Sequence, residues 1–136
     1  MKNRIIIIGK KGFLGSNLNT YLKKRNFIIN LDYKIFIKKK LNFISNFDYI
    51  INCTSNQNYI ENKYLKKNDF DLAIASKIKN LDIKMIMLSS RKVYKNGTNL
   101  KESSVLKPKS NYSRNKLRTE KALLKILKKK NFNFKN

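Results

Sequence analysis

Four consecutive isoleucines, Ile5 to Ile8, run directly into Gly9-Lys10-Lys11-Gly12-Phe13-Leu14-Gly15. The apolar run does not alternate with polar residues, so it reads as a buried strand. Behind it the glycines supply a tight turn, and from Phe13 the apolar spacing becomes helical. A strand that passes through a glycine turn into a helix opens a strand–helix–strand unit, and such units build parallel sheets. Lys2 and Arg4 ahead of the run give it a superficial likeness to a secretory leader. Four apolar residues ending in Gly9-Lys10-Lys11 are too few for one.

The same alternation continues along the chain. The first helix is expected from about Phe13 to Arg25, burying Phe13, Leu14, Leu18, Tyr21 and Leu22. Phe27 to Leu31 reads as a second strand ending in Asp32. Between Tyr33 and Asn46 the signal is poor. A short strand around Ile35 to Ile37 or Lys40 to Phe43 is expected there, with almost no room for a full helix. Asp48 to Cys53 is an apolar strand followed by a polar loop, Thr54 to Asn58. A helix follows from Asn68 to Asn80, with Leu72, Ala73, Ile74, Ala75 and Ile78 on its buried side. Lys84 to Ser89 is another buried strand. A loop holding Gly97 and Pro108 leads to a long helix from about Asn111 to Lys130, with Leu117, Leu124 and Leu127 on one side. Phe132 and Phe134 then alternate as if a further strand begins. There is no internal repeat and no linker, so residues 1–136 read as one Rossmann-like domain, a doubly wound parallel α/β sheet.

Composition removes several kinds of chemistry. The 136 residues contain no His, which excludes Ser-His-Asp triads and zinc sites of the Cys/His kind. No metal site is expected. One cysteine, Cys53, cannot form an internal disulfide, and no stretch approaches the length of a membrane span, so the expected location is the cytoplasm with no membrane partner. Thirty-two Lys and Arg against eight Asp and Glu give a formal net charge of +24. Such a charge ordinarily suggests nucleic acid. Here the lysines are scattered through every segment, as Lys38-Lys39-Lys40, Lys66-Lys67 and Lys128-Lys129-Lys130 show, and they accompany many Asn and Ile. A composition bias accounts for all three residue types together, whereas selection for a polyanion accounts only for the lysines. No helix-turn-helix, zinc or RNA-binding signature is present, so no specific nucleic-acid partner is expected.

Two constellations carry chemistry. The first is the G-x-x-G-x-x-G turn of Gly9, Gly12 and Gly15 between strand and helix. There a backbone without side chains can approach a pyrophosphate, and the helix N-terminus offers its unpaired N–H groups and positive dipole end. Seventeen residues beyond Gly15, Asp32 closes the second strand, where a carboxylate can accept hydrogen bonds from ribose hydroxyls. The second is Tyr112-Ser113-Arg114-Asn115-Lys116, whose spacing of four puts phenol and ammonium on one helix face. An ammonium beside a phenol favours the phenolate, which suits a general acid or base in a chain without histidine. Ser89 and Ser90 stand where ligands bind in open α/β sheets, at the carboxyl end of a strand.

Taken in order, Gly9 to Gly15, Asp32, the strand Asp48 to Cys53, the run Ser89-Ser90-x-x-Val93-Tyr94, Glu102, Pro108, and Tyr112 with Lys116 resemble the N-terminal part of an extended short-chain dehydrogenase/reductase. The likeness is to NAD-dependent nucleotide-sugar epimerases and dehydratases and to dTDP-4-dehydrorhamnose reductases. The resemblance implies NAD as cofactor, with NADP left open, and a nucleotide sugar as substrate, with a homodimer left open. It implies that Gly9, Gly12, Phe13, Leu14 and Gly15 cradle the pyrophosphate, that Asp32 holds the adenosine ribose, and that Cys53-Thr54-Ser55 passes beneath the cofactor. Asp32 favours NAD because a 2′-phosphate would meet its charge, while Lys10, Lys11 and Lys34 weaken that preference. Tyr112 becomes the catalytic acid/base. Lys116 binds the nicotinamide ribose and acts on the tyrosine, and Ser90 hydrogen-bonds the substrate oxygen, with Ser89 the weaker candidate. Cys53 itself reads as a small buried residue.

Two departures accompany the likeness. The segment between Asp32 and Asp48 is shorter than in the family, so no adenine-side contact can be assigned after it. Family members also continue past the Y-x-x-x-K helix into a C-terminal lobe for the sugar nucleotide, and the domain is expected to be truncated before that lobe. The alternatives to a hydride-transfer enzyme are a non-catalytic dinucleotide-binding remnant or regulatory module, and, in third place, a basic polyanion binder.

Overall fold

The computed structural model describes residues 2–127. The expected strand at Phe132 to Phe134 and the end of the last expected helix, Lys128 to Lys130, lie outside the described residues. The first strand, β1 (Arg4–Ile8), pairs in parallel with both β2 (Phe27–Leu31) and β3 (Tyr49–Asn52), and β3 pairs in parallel with β4 (Lys84–Met87). The strand order is therefore β2-β1-β3-β4. Ile6 and Ile8 point to one face of the sheet and Ile5 and Ile7 to the other, and all four are buried. The absence of alternation in this strand is thus the signature of a sheet covered twice.

The two covers differ. On the Ile5 side lies α1 (Phe13–Leu22), which presses Leu18 and Leu22 against Ile5, Ile7 and Ile51. Only Gly15, Leu18 and Leu22 of that helix face the sheet. Phe13, Leu14 and Tyr21, expected to be buried, are 86%, 43% and 72% exposed. The docking stripe runs i, i+3, i+7 from Gly15, and residues one position off it are carried roughly 100° around the helix toward solvent. The helix itself ends at Leu22, three residues short of the expectation.

The Ile6 side carries α5 (Phe70–Ile78) and α6 (Asn111–Leu127), which bury Leu72, Ile74, Ala75, Ile78, Leu123 and Leu127 over Ile6, Ile8, Ile50, Met85 and Met87. The weak stretch after Asp32 contains no strand. It forms two single-turn helices, α2 (Tyr33–Phe36) and α3 (Leu41–Ile44), whose Phe36 and Ile44 are fully buried in this same core. Four-residue helices have too few positions for a period to show, and their apolar residues are spaced by tertiary need. A further short helix, α4 (Gln57–Glu61), begins inside the expected polar loop; the Asn56 side chain caps it by accepting from the Asn58 N–H.

The last helix is where the apolar pattern misleads most. Leu124 is half exposed, and the buried face carries Ser113, Asn115, Lys116 and Thr119 ahead of Leu123 and Leu127. The asparagine amides serve the end of α4. Asn115 donates to the carbonyls of Tyr59 (2.7 Å) and Asn62 (2.9 Å), and Asn111 donates to that of Glu61 (3.1 Å). These are carbonyls that a helix C-terminus leaves without an intrahelical partner.

The turn after β1 depends on one contact. Gly9 leaves the strand at φ 131°, a conformation L-residues rarely adopt, and a Cβ on Gly15 would stand 2.2 Å from the Gly9 carbonyl oxygen. A Cβ on Gly12 meets nothing nearer than that same oxygen, at 3.6 Å. Gly15→Ala is therefore expected to cost roughly 3 kcal/mol by prying α1 off the sheet, and Gly12→Ala to cost a small fraction of that, as urea midpoints would show.

Candidate functional site

In this strand order the chain departs from neighbouring β1 and β3 to opposite sides, which opens a crevice at their carboxyl ends. Gly9 forms one wall of it. The other is the loop after β3, where Cys53 and Thr54 lie so close that a Cβ on Gly9 would reach them at 3.1 and 3.2 Å. Beside this contact, three residues beyond Gly9, α1 begins at its N-cap. Gly12 is its N-cap residue and provides no capping side chain, and the first turn has no acidic residue. Its leading N–H groups therefore face outward without a side-chain acceptor, an arrangement suited to an anion. Asp32 falls at the end of β2, as expected. It is the N-cap residue of α2, yet its carboxylate makes no capping hydrogen bond.

Tyr112 and Lys116 lie on one face of α6, and the Lys116 Nζ is 5.8 Å from the centre of the Tyr112 ring and 5.7 Å from that of Tyr59. The ammonium is buried. It donates to the Leu88 carbonyl at 2.9 Å and to Asp71 Oδ2 at 3.3 Å, and this is the one ion pair among the described residues. Ser90, just beyond β4, accepts from the Lys92 N–H and so caps a short turn of 3₁₀ helix, Arg91–Val93. Its neighbour Ser89 hydrogen-bonds Glu120 of α6. Thus phenol and ammonium converge as the spacing demanded, and both serines stand at the strand end, each already engaged by this chain. Ser55 is exposed.

Several groups that organise the site carry no sequence motif. Asp71 accepts from Asn52 Nδ2 at 2.7 Å as well as from Lys116, while Asn52 Oδ1 accepts from the Thr54 N–H at 3.0 Å and its hydroxyl at 2.8 Å. Two residues earlier Asp69 caps α5 through the Leu72 N–H (3.0 Å) and accepts from the hydroxyls of Thr119 (2.7 Å) and Tyr64 (2.9 Å). Thr119 in turn shares a 2.6 Å hydrogen bond with the Tyr59 hydroxyl. Asp69 and Asp71 thus join α5 to α6. Their partners lie 45 to 50 residues ahead in the chain, a separation at which spacing rules carry no information.

The electrostatics follow from this burial. Burial pushes the Cys53 thiol up to about 11, with the Asp71 charge adding to the effect. The thiol is thus a half-buried, unreactive group, consistent with a packing role. Burial also pushes the Tyr59 phenol well up. The Asp71 carboxyl is raised chiefly by burial, against which the Lys116 ammonium and the Asn52 amide pull without cancelling it.

A model of the NAD-dependent epimerase/dehydratase family matches residues 5–136. The chain belongs to that family. Against curated protein sequences no match was found. Among solved structures, a UDP-N-acetylglucosamine 4-epimerase from Methanobrevibacter ruminantium superposes with a TM-score of 0.76 at 23% identity, over 98% of this chain and 54% of that one. A dTDP-glucose 4,6-dehydratase from Bacillus anthracis, solved with NAD, gives 0.73 at 19% identity, over 94% and 51%. A dTDP-4-dehydrorhamnose reductase from Clostridium acetobutylicum gives 0.68 at 20%, over 90% and 49%. The chain therefore spans about half the length of the structures it matches. At these identities the likeness is one of fold, and the Rossmann-like reading stands. No helix among the described residues is long and apolar enough to cross a membrane.

Two outcomes follow from the charges. At neutral pH iodoacetamide should alkylate Cys53, the chain's single thiol, on the order of a hundredfold more slowly than free cysteine, and Asp71→Asn should speed the reaction. A carboxyl raised in the folded state favours the fold when protonated. Its contribution is complete below the unfolded value and is lost as pH rises through the folded one. Wild type should therefore gain on Asp71→Asn in unfolding free energy as pH falls from about 7 to about 4, measured by urea melts at fixed ionic strength.

Proposed function

We propose that this chain is the NAD(H)-binding domain of an enzyme that epimerises, dehydrates or reduces a nucleotide-linked sugar. The observation that carries the reading is the amino end of α1. It is uncapped, follows the turn out of β1, and at Gly12 carries no side chain, a Cβ there meeting only the Gly9 carbonyl oxygen at 3.6 Å. A pyrophosphate satisfies the free N–H groups there, and it needs the backbone bare at that point. The cradle is Gly9, Gly12, Phe13, Leu14 and Gly15, with the loop Cys53-Thr54-Ser55 as its floor. The uncommitted Asp32 carboxylate suits two ribose hydroxyls and repels a 2′-phosphate, which favours NAD over NADP. In support, the B. anthracis dehydratase and a UDP-glucuronic acid 4-epimerase from Bacillus cereus were both solved with NAD.

When bound, the nicotinamide supplies a hydride acceptor or donor; the chain's own part is proton handling and orientation. In the oxidative direction the Tyr112 phenolate takes the proton of a sugar hydroxyl as its carbon loses hydride, and in reverse the phenol returns the proton to the keto oxygen. Lys116 binds the nicotinamide-side ribose and stabilises negative charge on Tyr112. Ser90 donates to the same sugar oxygen. A nucleotide sugar as substrate is supported by the M. ruminantium epimerase of the same fold, which was solved with UDP-N-acetylmuramic acid.

Gly12→Ala separates this function from folding. The substitution lowers the urea midpoint only slightly because the Cβ makes an ordinary contact at 3.6 Å, and it weakens NADH binding at least tenfold by displacing the pyrophosphate from the helix end. Calorimetry of the two proteins at physiological salt decides the matter. Wild type that takes up no NADH, or Gly12→Ala that binds it as tightly as wild type, would sink the reading.

A further inference from the structure

For a chain of net charge +24, ion pairing should be easiest at the surface, yet the one ion pair among the described residues is fully internal. Its two side chains are 4% and 6% exposed. A buried lysine and a buried aspartate each carry a large desolvation cost, so the pair persists only with further hydrogen bonds and fixed geometry. Both are present. An ammonium has three protons. Asp71 and the Leu88 carbonyl take two of them from Lys116, and Asn52 fixes the other oxygen of Asp71 while holding Thr54. With two N–H directions set, the third is set as well.

We propose that Asp71 is the positioning residue of the site: it anchors Lys116 between the rings of Tyr59 and Tyr112, aims its remaining N–H at the ligand, and ties it through Asn52 to the loop at Thr54. The proposal rests on the cofactor reading above only for the identity of that ligand, the ribose next to the nicotinamide. It assigns Asp71 no contact with substrate or cofactor. Every component comes from a different element: Asn52 ends β3, Asp71 lies in the first turn of α5, Leu88 follows β4, and Lys116 is on α6. A shift in any of them would redirect the ammonium.

The test uses the whole chain and two probes, NADH and ADP, since ADP lacks the nicotinamide ribose. Asp71→Ala should raise the NADH dissociation constant about tenfold or more, the size expected for misdirecting a hydrogen bond from a charged group, and leave that of ADP unchanged. Asp71→Asn keeps the shape and one acceptor, should fold where alanine does not, and should show a smaller loss in the same pattern. A ligand-free readout accompanies them. In a ¹H–¹⁵N spectrum of lysine ammonium groups, Lys116 should give an exchange-protected signal, assigned by its absence in Lys116→Met, and Asp71→Ala should abolish it. An unchanged signal in both Asp71 variants overturns the proposal, and so does equal weakening of NADH and ADP, which marks Asp71 as merely structural. If wild type binds neither probe, the cofactor reading falls, and the ammonium signal alone decides whether Asp71 holds Lys116.

Discussion

The site is built outward from the way the chain leaves β1. That strand, like β3, is paired on both edges, and it is buried on both faces at its carboxyl end, so its exit can go neither sideways nor up without striking protein. Gly9 escapes through a positive φ, and Gly15 lets α1 land directly on the Gly9 carbonyl. Gly12, at the N-cap, carries no side chain, and the helix begins bare. The close seat of α1 on β1 thus sets where its uncapped N–H groups stand, an arrangement suited to an anion. Once α1 is fixed, the crevice is fixed too, because Cys53 and Thr54 of its far wall are already in contact with Gly9.

The opposite side of the sheet solves a different problem. Two helices pack against each other there although the inward face of α6 carries Ser113, Asn115, Lys116 and Thr119, so their interface is not wholly apolar. The carboxylates Asp69 and Asp71 settle this by taking hydroxyl, amide and ammonium donors from Tyr64, α6 and the end of β3. Networks of this kind are costly when incomplete and rigid when complete. That Tyr59, Thr119 and Asn115 all find partners gives α6 one rotation and one depth, and with them the placement of Tyr112. The abundant surface lysines contribute nothing comparable. They repel one another, and pairs at the surface are worth little in any case.

Legibility in the sequence divides along the same line. The strands, the glycine turn and the Tyr112–Lys116 pair could be read because each is governed by neighbours within a few residues. Isoleucines without alternation, glycines at a strand end and a spacing of four are all local rules. The two short helices after Asp32 could not be read, since Phe36 and Ile44 are placed by a core assembled from distant strands. The buried side of α6 was misread for a related reason. A hydrophobic period points to Leu117 and Leu124, whereas the face that turns inward is polar and is satisfied by partners 45 to 60 residues away. Asp71 has no motif around it, and nothing in its sequence neighbourhood singles it out.

The same division bears on what holds an anionic ligand. A protein of charge +24 attracts any dinucleotide by its field alone, and that attraction reports nothing about the crevice. The two contributions separate by range. At about 0.15 M salt the field of exposed lysines is screened beyond roughly 8 Å, whereas the hydrogen bonds proposed above from the end of α1 and from Lys116 would act at contact distance. Raising the ionic strength should therefore strip away the diffuse term and leave the contact term nearly intact. An affinity that persists across that range belongs to Gly12 and its neighbours; one that vanishes belongs to the composition of the chain.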